Sequence, residues 1–194
     1  MQLLRIVGLA AVLTLSAFAG PLTITYTSVG TGSVGSAGFT NAAFTITELL
    51  DTTNRQSYSS GFFINDNSAS IAISGIGAFS FTTATRTFVA NDSGVAGFSR
   101  SGASGFDLMY AADNSAFSTW DMTTSLGPFT GTGTLTQWSL TPVQTTGGVL
   151  VFNNAGPTVT FQAVAGGVPE PASMALLGLG LVGLGLVARR RRQL

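Results

Sequence analysis

The chain has 194 residues, of which 8% are charged, against about 25% in an average soluble protein. It contains no cysteine and no histidine, and its basic residues are all arginine, so disulfide bonds, Cys or His metal sites, Cys nucleophiles, His general bases and Lys Schiff bases are excluded. We also expect no nucleic-acid partner, because so few cations cannot build a basic face.

The first 19 residues have the three parts of a secretory signal peptide. A short basic start precedes an apolar run over residues 6–15, and Ala17 and Ala19 are the small residues expected before a cut at Gly20. An apolar run of this length is too short to span roughly 30 Å of hydrocarbon. We therefore predict a cleaved signal helix over residues 1–19, with a buried N-terminal helix as the alternative.

Residues 20–167 form the predicted exported domain. Apolar residues alternate with Ser and Thr in segments such as 22–27, 44–47 and 79–82, which is typical of half-buried strands. Runs of Gly, Asn and Asp separate the segments and indicate turns. About ten strands at this spacing predict an all-β fold, an antiparallel β-sandwich of jelly-roll type. The other predicted strands cover residues 86–89, 105–110, 117–122, 132–140, 149–152 and 158–164.

One glycine-rich stretch matches a nucleotide-binding pattern. Gly30, Gly32 and Gly35 have the spacing G-x-G-x-x-G, but a dinucleotide site needs a helix to follow directly. Residues 39–47 have the alternation of a strand instead. We therefore predict a flexible loop over residues 30–38 and no nucleotide cofactor.

Two tryptophans are candidates for contact with glycans. Trp120 and Trp138 are large, flat side chains on which a sugar ring can stack. The more common role of such a residue is in the core or at its rim, and this alternative stays open. The Phe residues, together with Ile and Val, are predicted to fill most of the core.

The carboxylates are the remaining candidates for catalysis. Glu48 and Asp51 lie at a predicted strand end, and Asp107, Asp113 and Asp121 fall within one stretch. Two carboxylates about 5–9 Å apart can hydrolyse a glycosidic bond, but spacing along a β chain does not establish such a pair. Solvated carboxylates that aid solubility are the common alternative, and we predict that the protein is not an enzyme.

Three weaker signals concern metals, modification and pH. Asp66 and Asp113, each followed by Asn, are possible oxygen ligands for Ca²⁺, but the spacing of a known calcium loop is absent, so we predict no metal and no cofactor. Residues 91–93 match a glycosylation sequon, which we interpret as a turn. Because histidine is absent, we predict nearly flat stability between pH 5 and 8.

The last 27 residues contain three successive elements. Pro169, Glu170 and Pro171 precede an apolar run over residues 172–188. At about 1.5 Å per residue this run is just long enough to cross a thin bilayer as a helix. An arginine cluster follows and predicts a stop-transfer signal with its end in the cytoplasm. The cluster consists of Arg189, Arg190, Arg191 and Arg192.

In order and spacing, these three elements resemble the PEP-CTERM sorting signal of Gram-negative bacteria, over residues 168–194. The resemblance implies that an exosortase, a membrane-embedded transpeptidase-like protease, recognises the segment and cuts near Pro169, Glu170 and Pro171. It also implies a link to exopolysaccharide and biofilm production. A plain membrane anchor with an incidental Pro-Glu-Pro is the alternative.

These observations predict an exported protein that starts as an inner-membrane-anchored precursor and reaches the cell surface or extracellular matrix of a Gram-negative bacterium. Its expected role is structural or adhesive, with exopolysaccharide or matrix proteins as partners beside the exosortase. The first alternative is a carbohydrate-binding module that uses Trp120 or Trp138. The second is a glycan-cleaving enzyme, which requires two carboxylates facing each other in a cleft.

Overall fold

The computed structural model describes residues 20–102, 107–112, 114–136, 138 and 143–166. Within these residues the fold is almost entirely β, with a short 3-10 helix at Thr52–Asn54 and one turn of α-helix, α1, at Asn114–Phe117. The strands are β1 (Pro21–Val34), β2 (Ala37–Asp51), β3 (Gln56–Tyr58), β4 (Gly61–Asn65), β5 (Ser68–Ile73), β6 (Gly77–Ser80), β7 (Thr85–Ala90), β8 (Val95–Arg100), β9 (Asp107–Ala112), β10 (Leu126–Leu135), β11 (Val143–Thr145), β12 (Gly148–Ala155) and β13 (Thr158–Ala165).

All the described strands belong to one antiparallel, hydrogen-bonded sheet. Their order across the sheet is β3, β4, β7, β8, β9, β10, β13, β1, β2, β5 and β6, while β12 pairs with β1 and β11 pairs with β12. The long strand β1 has three neighbours because its first half pairs with β13 and its last residues pair with β12. The predicted antiparallel all-β fold is confirmed, with 13 strands in the described part of the chain rather than about ten.

The sheet curls so that strands far apart in this order approach one another across the core. The ring of Phe81, just after β6, lies 5.2 Å from the ring of Phe98 on β8. Trp138 packs against both Phe98 and Phe152, with centroid distances of 6.4 Å and 4.9 Å. The buried apolar side chains consequently form one cluster that both halves of the sheet share.

The prediction of a flexible loop over residues 30–38 is wrong. Strand β1 continues to Val34, and the chain turns only around Gly35, whose φ is +55°. Glycine is needed at Gly32 for a different reason, since a Cβ there would lie 2.0 Å from the carbonyl oxygen of Val151 on β12. The glycine pattern therefore reflects a close approach of two strands at a β-bulge.

A further local prediction is corrected. Residues 117–122, predicted as a strand, contain the end of α1 followed by turns, and Phe117, Trp120 and Met122 fill the core from this loop. Strands β3, β4, β5, β8 and β11 lie outside the predicted strand segments. The Asn-Asp-Asn run, predicted as a turn, connects β4 to β5, and both of these strands are paired.

The terminal segments are not part of the described structure. The predicted signal peptide (residues 1–19) and the sorting segment with its predicted membrane helix (residues 168–194) lie outside the described residues, as does Asp113. Among the residues that the structure does describe, no helix is long and apolar enough to cross a membrane.

Candidate functional site

The outward side of the central strands presents an ordered array of hydroxyl groups, which we call the hydroxyl face. Because strands pair residue to residue, outward side chains align into rows that cross β10, β13, β1, β2, β5 and β6. The first row is Thr130, Thr160, Thr27 and Thr45. The second row is Gln162, Thr25, Thr47, Ser70 and Ser80. The third row is Val164, Thr23, Leu49 and Ser68.

None of the side chains in the hydroxyl face is charged. Neighbouring hydroxyls within a row bond to each other, since the Oγ1 atoms of Thr27 and Thr45 are 3.1 Å apart and those of Thr130 and Thr160 are 2.8 Å apart. Strands lie about 4.8 Å apart, and outward residues repeat about every 6.7 Å along a strand. The face is thus a regular grid of donors and acceptors with methyl groups between them.

A second feature lies on the inward side of the sheet, and we call it the buried oxygen cluster. It consists of the carboxylates of Glu48 and Asp66 and the hydroxyls of Tyr26 and Thr87. Glu48, Tyr26 and Thr87 are each 0% exposed. All six side-chain oxygen atoms of these four residues are buried and make no hydrogen bond of ordinary geometry.

The sheet register and one turn bring these residues together. Glu48 on β2 pairs with Ile24 on β1, two residues before Tyr26, so both side chains are on the inward face. Asp66 follows β4, where its backbone N–H donates to the carbonyl of Thr85 at 3.0 Å. The next N–H, of Asn67, donates to the carbonyl of Leu49 at 2.9 Å. The turn is therefore tied to β2 beside Glu48 and to β7 near Thr87.

The pKa values of the cluster show the effect of this burial. Burial raises the pKa of Glu48 well above its ordinary 4.5, and the charge of Asp66 raises it further. Burial also raises the pKa of Asp66 from 3.8 to about 7, although the Thr85 hydroxyl and the N–H and hydroxyl of Thr87 act to lower it. The pKa of Tyr26 is raised by burial and by both carboxylates. These raised pKa values favour a stability that changes between pH 5 and 8, against the flat profile predicted from the sequence.

An open polar cleft of about 470 Å³ lies beside Asp66, although the carboxylate oxygens of Asp66 are themselves buried. Its wall is held by Arg55, whose Nη1 donates to the Oδ2 and the backbone carbonyl of Asp121 at 2.9 Å and 2.8 Å. The same guanidinium lies 4.5 Å from the ring centroid of Phe62. The cleft is lined by Thr53, Asn54, Arg55, Gln56, Asn65, Asp66 and Asn67.

Asp51, Asp107 and Asp121, the described candidates for catalysis other than Glu48, are each held by hydrogen bonds to other groups. Asp51 accepts hydrogen bonds from the N–H and hydroxyl of Thr53 at the 3-10 helix. Asp107 accepts hydrogen bonds from the hydroxyls of Ser99 and Tyr110, and Asp121 pairs with Arg55. The structure instead brings Glu48 together with Asp66. Among the described residues, no group of three or more His, Cys, Asp or Glu side chains could hold a metal.

Both candidate glycan-contact tryptophans are core residues. Trp120 is 4% exposed and Trp138 is 1% exposed. The indole N–H of Trp120 donates to the carbonyl of Thr124 at 3.0 Å, and its ring packs 5.6 Å from Phe161. A buried ring cannot stack on a sugar in solution, so this placement counts against the glycan-contact interpretation of both residues.

The sequon-like residues 91–93 form a turn, as the sequence predicts. The Asn91 Nδ2 atom donates to the carbonyls of Phe117 and Trp120 at 2.6 Å and 2.9 Å. The amide thereby fixes the loop after α1 against the β7–β8 turn, which gives Asn91 a structural role.

Sequence reasoning missed the buried oxygen cluster, although one signal was present. Glu48 occupies an inward position in a strand whose other inward residues include Phe44, Ile46 and Leu50. A charged residue at a position whose neighbours on the same face of the strand are buried and apolar is unusual, and it indicates that other groups must compensate the charge. The partnership with Asp66 depends on a turn and could not be read from spacing.

Comparison with known proteins supports the resemblance at the C-terminal end. Residues 167–192 match the family model of the PEP-CTERM protein-sorting motif, which includes Pro169, Glu170, Pro171 and the arginine cluster. No curated protein and no solved structure matches the chain. The chain therefore carries a PEP-CTERM protein-sorting motif after its β domain, and this motif implies an exported protein that an exosortase processes.

Proposed function

We propose that this protein is a non-enzymatic, adhesive component of the surface or extracellular matrix of a Gram-negative bacterium, and that its hydroxyl face contacts neutral polysaccharide. The observation that carries the proposal is the uncharged, hydroxyl-rich grid on a domain that is followed by a sorting motif. The processed domain would be retained in the matrix by many weak contacts. The proposal keeps the structural or adhesive role expected from the sequence and assigns the contact to the hydroxyl face.

The chemistry of the face fits polysaccharide. Each Thr or Ser hydroxyl both donates and accepts hydrogen bonds, as sugar hydroxyls do, and the Thr methyl groups can cover the apolar faces of sugar rings. Because the face has no charge, binding should depend little on salt. Repetition of the rows compensates for weak single contacts, since several sites on one long chain bind with avidity.

Other observations support parts of the proposal. Glu48 is 0% exposed, and the other described candidate carboxylates have structural partners, which favours a role without catalysis. The approach of Phe81 to Phe98 across the core favours a two-layered sandwich. The buried positions of Trp120 and Trp138 make the runner-up, a carbohydrate-binding module built on these residues, the weaker candidate.

The hydroxyl face is tested by binding of the full-length chain to neutral and anionic polysaccharides in affinity electrophoresis. The triple variant Thr27→Val, Thr45→Val, Thr160→Val keeps side-chain shape and removes three hydroxyls from one row. We expect it to bind neutral polysaccharide at least about tenfold more weakly. Thr124→Val, an exposed threonine outside the face, is the matched control and should bind like the unchanged protein. Equal binding by the triple variant would exclude the face as the contact.

Sorting is tested by the intact mass of the protein in each cell fraction of its native host. We expect a mature form from Gly20 to near Pro169, without the arginine cluster, in the surface or released fraction. Added mass on the new C-terminus would identify an anchor. A protein that retains Leu194 and stays in the inner membrane would contradict the matrix role.

A further inference from the structure

We propose that the buried oxygen cluster binds a divalent metal ion, and that calcium is the ion it fits best. The site would use the carboxylates of Glu48 and Asp66 together with the hydroxyls of Thr87 and Tyr26. It would stabilise the exported domain from within, independently of what the hydroxyl face contacts.

The first argument is the convergence of oxygen atoms without partners. Six buried oxygens from four side chains make no hydrogen bond of ordinary geometry, although the Thr85 hydroxyl and the N–H and hydroxyl of Thr87 lie near enough to Asp66 to lower its pKa. Hydroxyl groups normally donate to a nearby carboxylate, yet the Tyr26 and Thr87 hydroxyls donate to neither Glu48 nor Asp66 with that geometry. Buried polar groups almost always have a partner. A bound ion would supply a ligand for oxygens that have no hydrogen-bond partner.

The second argument is charge. Glu48 and Asp66 are close enough for the charge of one to raise the pKa of the other, and two buried carboxylates need neutralisation. A divalent cation balances both charges. Arg55 is engaged by Asp121, and Arg86 lies over the ring of Phe63 at 5.1 Å. Arg100, on β8 opposite Thr85, is the one described arginine on the inward side. Neutralisation of the two carboxylates by Arg100 is therefore the alternative that the experiment must exclude.

The third argument concerns the type and source of the ion. Calcium prefers six to eight oxygen ligands, including carboxylates that bind through both oxygens, and tolerates irregular geometry. Magnesium demands a regular octahedron and retains its waters. Extracellular domains bind calcium with Kd values of about 10⁻⁴–10⁻³ M, and the sorting motif implies export. The cleft of about 470 Å³ brings solvent next to the turn that carries Asp66.

The experiment measures thermal unfolding and calorimetric binding of the full-length chain in CaCl₂ and in EDTA at pH 7.5. Binding to the folded state alone raises Tm with ligand concentration, so we expect a higher Tm in millimolar CaCl₂ and a smaller effect of MgCl₂. Glu48→Gln and Asp66→Asn should weaken calcium binding at least about tenfold. Both should also lose the calcium-dependent Tm shift. Asp92→Asn, which removes an exposed carboxylate in the β7–β8 turn, is the matched control and should retain it.

A second measurement does not depend on the variants folding. Tb³⁺ commonly replaces Ca²⁺ at oxygen sites, so excitation of tyrosine in the unchanged protein should give Tb³⁺ emission that added Ca²⁺ displaces. Identical Tm in CaCl₂ and EDTA, together with no displaceable emission, would overturn the proposal in favour of protons or Arg100 as the neutralising groups. A calcium response that persists in Glu48→Gln and Asp66→Asn would also overturn it, since the ion would then bind elsewhere.

Discussion

The two sides of the central strands are built from alternating residues of the same strands and have opposite properties. On β1, Leu22, Ile24 and Tyr26 are 0% exposed, whereas the threonines between them face outward. Successive side chains of a strand point to opposite faces, so a single sequence specifies both surfaces. The inward surface is a packed aromatic and aliphatic core, and the outward surface is an uncharged hydroxyl grid.

A residue that departs from the polarity of its side has a different meaning on the outward and the inward side. Leu49 and Val164 are apolar residues on the outward side, 42% and 47% exposed, and single exposed apolar residues are ordinary. Glu48 is a charged residue on the inward side and is 0% exposed. A buried charge without compensation would cost several kcal/mol, so this exception requires a physical explanation, which protons or a bound ion can supply.

The largest expected difference between the two sides is in packing. Phe161 is 1% exposed and lies edge-on to Tyr26 and Phe117, with centroid distances of 5.3 Å and 4.9 Å. We expect Phe161→Ala to lower the free energy of unfolding by about 3–5 kcal/mol. Val164→Ala, three residues along the same strand, should change it by less than about 0.5 kcal/mol. Urea denaturation of both variants measures the difference, and similar losses would show that the outward side is also packed.

Much of this two-sided arrangement could be predicted from the sequence, but the special features of the inward side could not. The alternation in residues 22–27 and 44–47 correctly predicts antiparallel strands, because period two is a local property. The meeting of Glu48 with Asp66 depends on a turn joining β4 to β5, which is a non-local property. Trp120 and Trp138 show the same limit, since the sequence does not reveal whether a ring faces the core or solvent.

The second prediction concerns pH in calcium-free buffer. In the folded state the pKa of Asp66 is raised from 3.8 to about 7, so between these values the folded protein binds more protons than the unfolded chain. The free energy of unfolding therefore falls as pH rises, by roughly 2–3 kcal/mol between pH 5 and pH 8. The raised pKa of Glu48 acts in the same direction.

Asp66→Asn should flatten this pH dependence, and Asp51→Asn, at the exposed 3-10 helix cap, should leave the slope between pH 5 and pH 8 unchanged. Urea denaturation at several pH values in EDTA measures both. A flat profile in the unchanged protein would mean that both carboxylates are already charged and compensated at pH 5.

The third prediction compares two tyrosine hydroxyls. The Tyr58 hydroxyl donates to the carbonyl of Val89 at 3.1 Å, and Tyr58→Phe should cost about 1 kcal/mol of stability. The Tyr26 hydroxyl is buried without a hydrogen-bond partner, so in EDTA Tyr26→Phe should leave stability unchanged or raise it by up to about 1 kcal/mol. Thermal unfolding of both variants measures the sign. A clear loss in Tyr26→Phe would reveal a partner for this hydroxyl.

The smallest effect is expected for Thr27→Val, and the adjacent residue Ser28, which points to the opposite side, provides the comparison. Thr27 is exposed, and its Oγ1 lies 3.1 Å from that of Thr45; Thr27→Val should change stability by less than about 0.5 kcal/mol, because water replaces the lost contact. Ser28 is 6% exposed and donates to the carbonyl of Thr158 at 2.7 Å, so Ser28→Ala should cost about 1–2 kcal/mol. Urea denaturation resolves this difference. A larger loss of stability in Thr27→Val than in Ser28→Ala would show that the hydroxyl rows stabilise the fold. The rows would then have an explanation that does not involve binding.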